Sequence, residues 1–314
     1  MRETWGDALC SIMASDPRVV VLDGDLGNST RAELVAQRFP ERFFQMGIAE
    51  QNMAGVAAGL ATIGFVPWLS SFAVFLAERD LDQVRMTIAQ THLPVKIGAG
   101  YSGMLTGFTG KTHQSVEDVA IMRAMPNMTV IAPADDEECR QAMYVATAHP
   151  GPVYFRLTRD PSPPVFDSSY RFELGRGVVL REGGDVALIS TGVQTQRTLE
   201  AADLLGQDGI AAAVLHLPTI KPLDEDAIVR MAERTGAVVT AEDHSIIGGL
   251  GGAVAEVLGE RCPTRMRRIG IRDTFGESAP NGALLEKYGL TARHIAASAR
   301  ELISRLRSGQ SRML

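Results

Sequence analysis

The stretch Phe43-Phe44-Gln45-Met46-Gly47-Ile48-Ala49-Glu50-Gln51-Asn52, followed by the small-residue run Met53 to Ala61, decides how this chain is read. Phe43-Phe44-Gln45 is strand-like, and Ala, Gly and Leu then recur at helical spacing, so a strand passes into an apolar helix. That is one βα step of a parallel sheet. Glu50 stands at the helix mouth with no nearby charge to offset its carboxylate. Desolvation there would raise a carboxyl pKa and make Glu50 a candidate proton donor. On these residues alone a second reading stays open, an acid favoured by the helix dipole.

The same alternation runs outward in both directions. Upstream, Val19-Val20-Val21-Leu22 reads as a strand ending in Asp23-Gly24-Asp25-Leu26-Gly27-Asn28-Ser29, with a helix from Arg31 to Phe39. Downstream, strands are expected at 65–69, 94–98, 129–131 and 153–155, and helices at 49–62, 76–91, 115–124 and 135–148. Tyr101 to Thr112 is glycine-rich and reads as a loop. Pro161, Pro163 and Pro164 interrupt any regular element, and Asp167 to Arg176 reads as linker. A second, smaller α/β unit follows, with strands at 185–190, 211–215, 236–241 and 265–270 and helices near 194–206, 224–234, 250–259 and 291–307. The domain expectation is therefore 1–165, a linker over 166–184, and 185–314.

The chain has 314 residues, 45% hydrophobic and 22% charged, which suits a globular protein with room for two domains. A net charge of −6 without a long basic run gives no reason to expect nucleic acid or an anionic membrane as partner. Cys10, Cys139 and Cys262 are far apart and odd in number, which fits a reducing, cytoplasmic compartment and offers no metal spacing. The amino terminus lacks the apolar core of a signal peptide. Met53 to Ala77 carries no charge and is long enough to cross a bilayer, but Gly55, Gly59, Gly64 and Pro67 divide it into a buried helix, a turn and a buried strand.

In open parallel sheets ligands bind where strands end and helices begin. That rule selects Asp25 to Ser29, Ala49 to Gln51, Ser70 to Phe75 and Tyr101 to His113, all in the first unit. His113 stands at a helix entrance, where an imidazole relays protons or donates to an oxyanion, or simply caps the helix. Phe72 and Phe75 are spaced as an aromatic platform or as ordinary core. Arg156 and Arg159 are spaced to clamp a phosphate or carboxylate, or to be solvated. The glycine run Gly248 to Gly252 reads as close helix–sheet packing more readily than as a phosphate loop. The six histidines show no zinc pattern, and no nucleophile elbow, Walker loop or catalytic-cysteine context occurs.

Three motifs in order resemble one family. Gly47-Ile48-Ala49-Glu50-Gln51, Ser71 to Phe75 with Asp82-Gln83-Val84-Arg85, and Thr112 to Asp118 followed by Met125-Pro126-Asn127 are similar to the carboxy-terminal half of transketolase and deoxyxylulose-phosphate synthase. Ser190-Thr191-Gly192 and His244 to Gly249 match the family's terminal domain, so the resemblance, to the small chain of a split transketolase, covers nearly the whole chain. It implies a pyrimidine-binding thiamine diphosphate fold followed by a smaller carboxy-terminal α/β domain. By resemblance Glu50 hydrogen-bonds N1′ of the aminopyrimidine and favours its imino tautomer, which takes the thiazolium proton. Phe75 and Phe72 stack on the ring, and Asp25 and Arg79 lie near the cofactor. His113 contacts the donor oxygen, while Ser29, Tyr101, Thr109, Arg156 and Arg159 contact substrate.

Two departures qualify that picture. The family's Gly-Asp-Gly and paired asparagines, which hold diphosphate and magnesium, have no match here, because Gly24-Asp25-Leu26 lacks the third glycine. No metal site is therefore expected in this chain. Mg²⁺ and diphosphate fall to a separate large subunit, in a heterotetramer by analogy with the family's symmetric dimers. Thr109 and Tyr101 stand where the family has a substrate-recognising Asp and a phosphate-binding His, and Lys111 is gained, so the usual ketose phosphate donor is in question. The implied function is transfer of a two-carbon ketol unit. The rivals are the beta subunit of a 2-oxo-acid dehydrogenase decarboxylase and a non-catalytic scaffold of the same fold.

Overall fold

The computed structural model describes residues 1–308; the last six positions of the second expected unit, 309–314, lie outside the described residues. The first sheet takes β1 (Val19–Asp23), β2 (Phe43–Gln45), β3 (Val66–Phe72), β4 (Lys96–Gly100), β5 (Thr129–Ile131) and β6 (Val153–Arg156). The second takes β7 (Val178–Arg181), β8 (Val186–Ser190), β9 (Ala212–His216), β11 (Ala237–Ser245) and β12 (Arg265–Ile271), while β10 (Thr219–Lys221) crosses back to the first. The strand orders are β10-β5-β6-β4-β3-β1-β2 and β12-β11-β8-β9-β7. Pairing is parallel except at β10 with β5 and β7 with β9.

Every residue of β1, β3, β4 and β8 is buried, as strands covered by helices on both faces must be. One face of the first sheet packs on the helices Arg2–Ser15 and Asp136–Ala148, around Trp5, Trp68 and Phe155. The other packs on the helix Glu50–Thr62 and the segment after β3, through Met53, Ala57, Leu76 and Ile88. The uncharged run 53–77 is thus a helix, a turn and a strand, as its glycines and proline indicate. Among the described residues no helix is long and apolar enough to cross a membrane. The second sheet is covered by the helices Gln194–Gln207 and Ala292–Arg307 on one side and Glu225–Thr235 and Leu250–Arg261 on the other.

Four expectations are corrected. The helix Arg2–Ser15 is absent from the sequence reading, yet it supplies much of one core layer. The helix expected over 76–91 is broken into the wide turns Phe75–Arg79 and Val84–Ala89, with an α-turn at Leu81–Gln83. Such π-type turns have a wider bore than an α-helix and turn side chains to new directions. The stretch read as linker, 166–184, contains β7, which pairs with β9 and closes the second sheet's edge. Finally, β10 joins the first sheet, so the two units share main-chain hydrogen bonds. A buried polar contact reinforces the junction, with the Glu138 carboxylate 2.8 Å from His216 Nε2 and 2.6 Å from the Tyr170 hydroxyl that donates to it.

Candidate active site

The turn after β1, the mouth of the helix Glu50–Thr62 and the end of β3 converge at the carboxyl end of the first sheet. Glu50 is fully buried there. Ser71 Oγ donates to Glu50 Oε1 at 3.1 Å and Arg79 Nη1 to Glu50 Oε2 at 2.6 Å. The sequence reading saw no charge able to offset this carboxylate; the turn Phe75–Arg79 brings one. Gln51 Nε2 donates to the Arg79 carbonyl at 3.1 Å and fixes that backbone. Asp80, next along, is also fully buried, and neither of its carboxyl oxygens has a hydrogen-bond partner among the described residues. Burial pushes its pKa well above the ordinary carboxylate range, and the nearby Glu50 charge adds to this, which weakens its competition for Arg79.

Gly24 makes room for this arrangement. A Cβ there would lie 3.1 Å from Ser71 Oγ and 3.4 Å from Glu50 Oε1, so a side chain at this position would crowd the acid and its donor. Below it, Asp23 is the buried acid of the β1 turn. Ser70 Oγ donates to it at 2.9 Å, as do the Leu26 and Gly27 amides, each at 3.0 Å. Asp25 is exposed, in the left-handed region at φ 65°, and its carboxylate has no protein partner among the described residues.

Beside Glu50 runs a row of rings. The Arg79 guanidinium lies 4.2 Å over the Phe75 ring, Phe75 lies 6.0 Å from Phe72, and Phe72 stacks on Tyr101 at 4.0 Å. His113 stands edge-on to Phe75 at 5.6 Å and to Phe72 at 5.7 Å, with its Nδ1 2.8 Å from the Thr112 hydroxyl. Phe72, Tyr101 and His113 border a cavity of about 530 Å³, while Glu50, Phe75 and Arg79 lie outside its lining. Ser29, Phe72, Tyr101, Thr109, His113 and Arg159, all selected from the sequence, line it. The Thr109 hydroxyl donates to that of Thr106 at 2.6 Å, giving the wall a paired hydroxyl.

The structure also changes the expected membership of the site. Arg156 is not brought to the cavity: its Nε and Nη2 donate to Asp118 at 2.9 and 3.2 Å, and Nη2 also donates to the Asp243 carbonyl at 2.8 Å. It is a buried brace between the two units, because the end of β6 lies against Asp118 of the first unit and Asp243 of β11, and its side chain turns inward to both. Three residues were missed. Arg2 Nη1 donates to the Tyr101 hydroxyl at 3.2 Å, matching Arg159 Nε on the same oxygen at 3.2 Å. Asp160 and Asn281 line the cavity, Asn281 from the second unit, so the site is not confined to the first. Asp160 follows Arg159 directly and was open to notice; Arg2 and Asn281 carried no local signal. The run Gly248 to Gly252 binds no anion from its helix end, since the Leu250 and Gly251 amides donate to Glu242 at 2.7 and 2.8 Å. Side chains at Gly249 or Gly251 would collide with Glu242 or Arg268.

Comparison with known proteins adds to this geometry. The pyrimidine binding domain of transketolase matches residues 1–164 and the transketolase C-terminal domain matches residues 175–295. The chain is 45% identical over 305 residues to the 6-deoxy-6-sulfo-D-fructose transketolase subunit SqwH of Clostridium sp. (strain MSTE9), covering 97% of this chain and 95% of that protein. It is 43% identical over 299 residues to a putative transketolase C-terminal section of Methanocaldococcus jannaschii, covering 94% of each. A solved structure described as a split gene transketolase, inactive beta4 tetramer, superposes with a TM-score of 0.90 at 49% identity, over 96% of this chain and 98% of that one. None of these matches favours the oxo-acid dehydrogenase or scaffold reading. A two-domain α/β chain with a buried acid beside a row of rings, matched along nearly its whole length, belongs to the transketolase family.

Proposed function

We propose that this chain is the small subunit of a heteromeric transketolase. Its pyrimidine-binding unit (1–165) and carboxy-terminal unit (185–314, whose sheet also takes β7 from the stretch 166–184) form half of an active site that a large subunit completes. The observation that carries the reading is Glu50: fully buried, held by Ser71 and Arg79, and left uncrowded where Gly24 carries no side chain. An aminopyrimidine held here would have the Glu50 carboxyl beside N1′ and Phe75 and Phe72 beside its ring. When bound, thiamine diphosphate supplies the nucleophilic carbon that cleaves the ketose and carries its two-carbon unit.

The chain's own residues do the rest. Glu50 and Arg79 set where the ring's proton sits, and the aromatic row excludes water from it. Asp25, exposed at the mouth of the β1 turn, is free to meet the cofactor or the partner. His113, at the cavity edge between Phe72 and Phe75, is placed to donate to the ketose oxygen. Ser29, Tyr101 and Arg159 face the distal end of the substrate, and the Thr106–Thr109 pair replaces an acid at its hydroxyls. The guanidiniums on Tyr101 suit a ketose with an anionic tail. The Clostridium relative is named for one such sugar, 6-deoxy-6-sulfo-D-fructose.

Mg²⁺ and the diphosphate are assigned to the large subunit because Gly24-Asp25-Leu26 lacks the third glycine of the family's diphosphate motif. The helix Glu50–Thr62 also presents Val56 to solvent, flanked by Ile48 (74% exposed) and Ile63 (72%) just beyond its ends. A neighbouring subunit would cover this face, and the beta4 description of the similar structure supports self-association through this chain. A heterotetramer of two small and two large chains follows, in the cytoplasm, where Cys10, Cys139 and Cys262 stay reduced.

The test is reconstitution. Co-purified with its large subunit, thiamine diphosphate and Mg²⁺, the chain is expected to release aldehyde from a ketose in a coupled assay. Purified alone with the same additions, it is expected to show none. Turnover by the isolated chain would overturn the divided site.

A further inference from the structure

We propose that the ketose site is built for a tail bearing one negative charge, of the sulfonate kind, over the dianion of a phosphate ester, and that Asp160 sets this preference. The inference rests on the cavity being the ketose site. The charged side chains on its wall are Arg159 and Asp160, with His113 at the opposite edge. Arg159 Nη1 donates to Asp160 Oδ1 at 3.0 Å, so the guanidinium nearest the tail already has a counter-ion. Asp160 Oδ2 accepts from Asn281 Nδ2 at 2.9 Å, and the same amide nitrogen lies 3.3 Å from the Leu105 carbonyl it donates to. The carboxylate is therefore held to the wall from both sides, by Arg159 and by Asn281.

The second guanidinium, Arg2, reaches the cavity through the Tyr101 hydroxyl. Of the other charges near this end, Lys111 is exposed, Arg197 donates to the Val193 carbonyl, and Glu3 and the Met1 amino group are engaged elsewhere. Glu3 lies 3.6 Å from Arg2 but accepts from Arg31 at 2.5 Å, and the Met1 amino group, which donates to the Asp160 carbonyl, pairs with Asp136 at 3.5 Å. Among this chain's groups bonded to Tyr101 and Asp160, two guanidiniums less one carboxylate leave a single positive charge. A sulfonate balances it. A phosphate ester near neutral pH carries roughly 1.5 to 2 negative charges, and its second charge would face Asp160. Like charges brought together at a binding site count heavily against the wrong partner. Tyr101, at φ 57° and stacked on Phe72, holds its hydroxyl rigidly between the guanidiniums, so the wall cannot adapt by moving that oxygen.

The experiment uses the assembled complex of small and large chains and two ketoses that differ only in a C6 sulfonate or C6 phosphate. At pH 7.5 the sulfonate is expected to have the higher kcat/KM, by about tenfold. Asp160→Asn is expected to narrow that ratio by a similar factor, mainly through better use of the phosphate, and Asp160→Glu to restore it. A merely structural role for Asp160 would scale both substrates alike and leave the ratio in place. In the unmodified complex, lowering the pH to about 6 adds the second phosphate proton, so the phosphate-to-sulfonate ratio should rise. Groups of the enzyme that titrate affect both substrates and cancel in that ratio, so this arm stands even where a variant fails to fold. Equal use of the two tails, or a ratio unmoved by both Asp160→Asn and pH, overturns the inference alone. Aldehyde release from neither ketose, and from no other ketose offered, overturns the ketose reading and the inference with it.

Discussion

Glu50→Gln in the assembled enzyme is expected to lower kcat by about 10²- to 10⁴-fold, the usual worth of a positioned acid–base group. Glutamine matches the carboxyl in shape, so it fills the same buried space between Ser71 and Arg79 without leaving a void. It cannot exchange a proton with a ring nitrogen. The loss should therefore appear in kcat, with only a modest change in thermal stability of the complex. A second readout separates tautomer control from simple binding, namely the affinity for thiamine diphosphate followed by protein fluorescence. Affinity should fall far less than turnover if Glu50 acts on the ring's proton. Turnover within a fewfold of the parent enzyme would return the scaffold reading to favour.

Arg156→Met is expected to cost about 3–5 kcal/mol of stability, the effect of leaving a buried charge without its partner. Asp118 is fully buried, accepts two hydrogen bonds from Arg156, and also takes the Tyr154 hydroxyl at 2.8 Å. Burial pushes the Asp118 carboxyl up, but the charges of Arg156 and His244, with hydrogen bonds from Arg156 and Tyr154, hold it below its ordinary value. A carboxyl depressed in the folded state stabilises above its unfolded pKa, and that contribution is lost as pH falls through the folded one. In the variant only burial and the lesser partners remain, so protonating Asp118 relieves the damage. The stability gap between parent and variant, read from urea unfolding, should be widest near neutral pH and narrow as the pH falls towards 4. Ketose KM in the surviving complex should change little. A raised KM at undiminished stability would instead put Arg156 in the substrate site.

Much of the architecture was legible along the chain because it is local. Parallel strands buried on both faces must be apolar runs, and β1, β3, β8 and β9 announce themselves in that way. The helix Glu50–Thr62 was visible from its spacing, and Gly64 marked its end with φ 98°. The helix Arg2–Ser15 was passed over because only its place against Trp68 and Phe155 shows why one of its faces is apolar. The wide turns after Phe75 were invisible for a related reason: an i→i+5 turn and an α-turn share one hydrophobic period, and tertiary packing selects between them.

The candidate site divides along the same line. Sequence by itself determined the alternation of strand and helix, the acid at an apolar helix mouth, the rings behind it, and the loop bearing His113, because each is written in neighbouring residues. Only the tertiary structure decided the charge state of that pocket: Arg79 turned onto Glu50, Arg156 drawn inward to Asp118, and Arg2 and Asn281 brought from far along the chain to Tyr101 and Asp160. The physical reason is range. Backbone form follows from short-range sterics and periodicity, whereas the meaning of a charged side chain depends on which partner and how little water the finished fold places beside it.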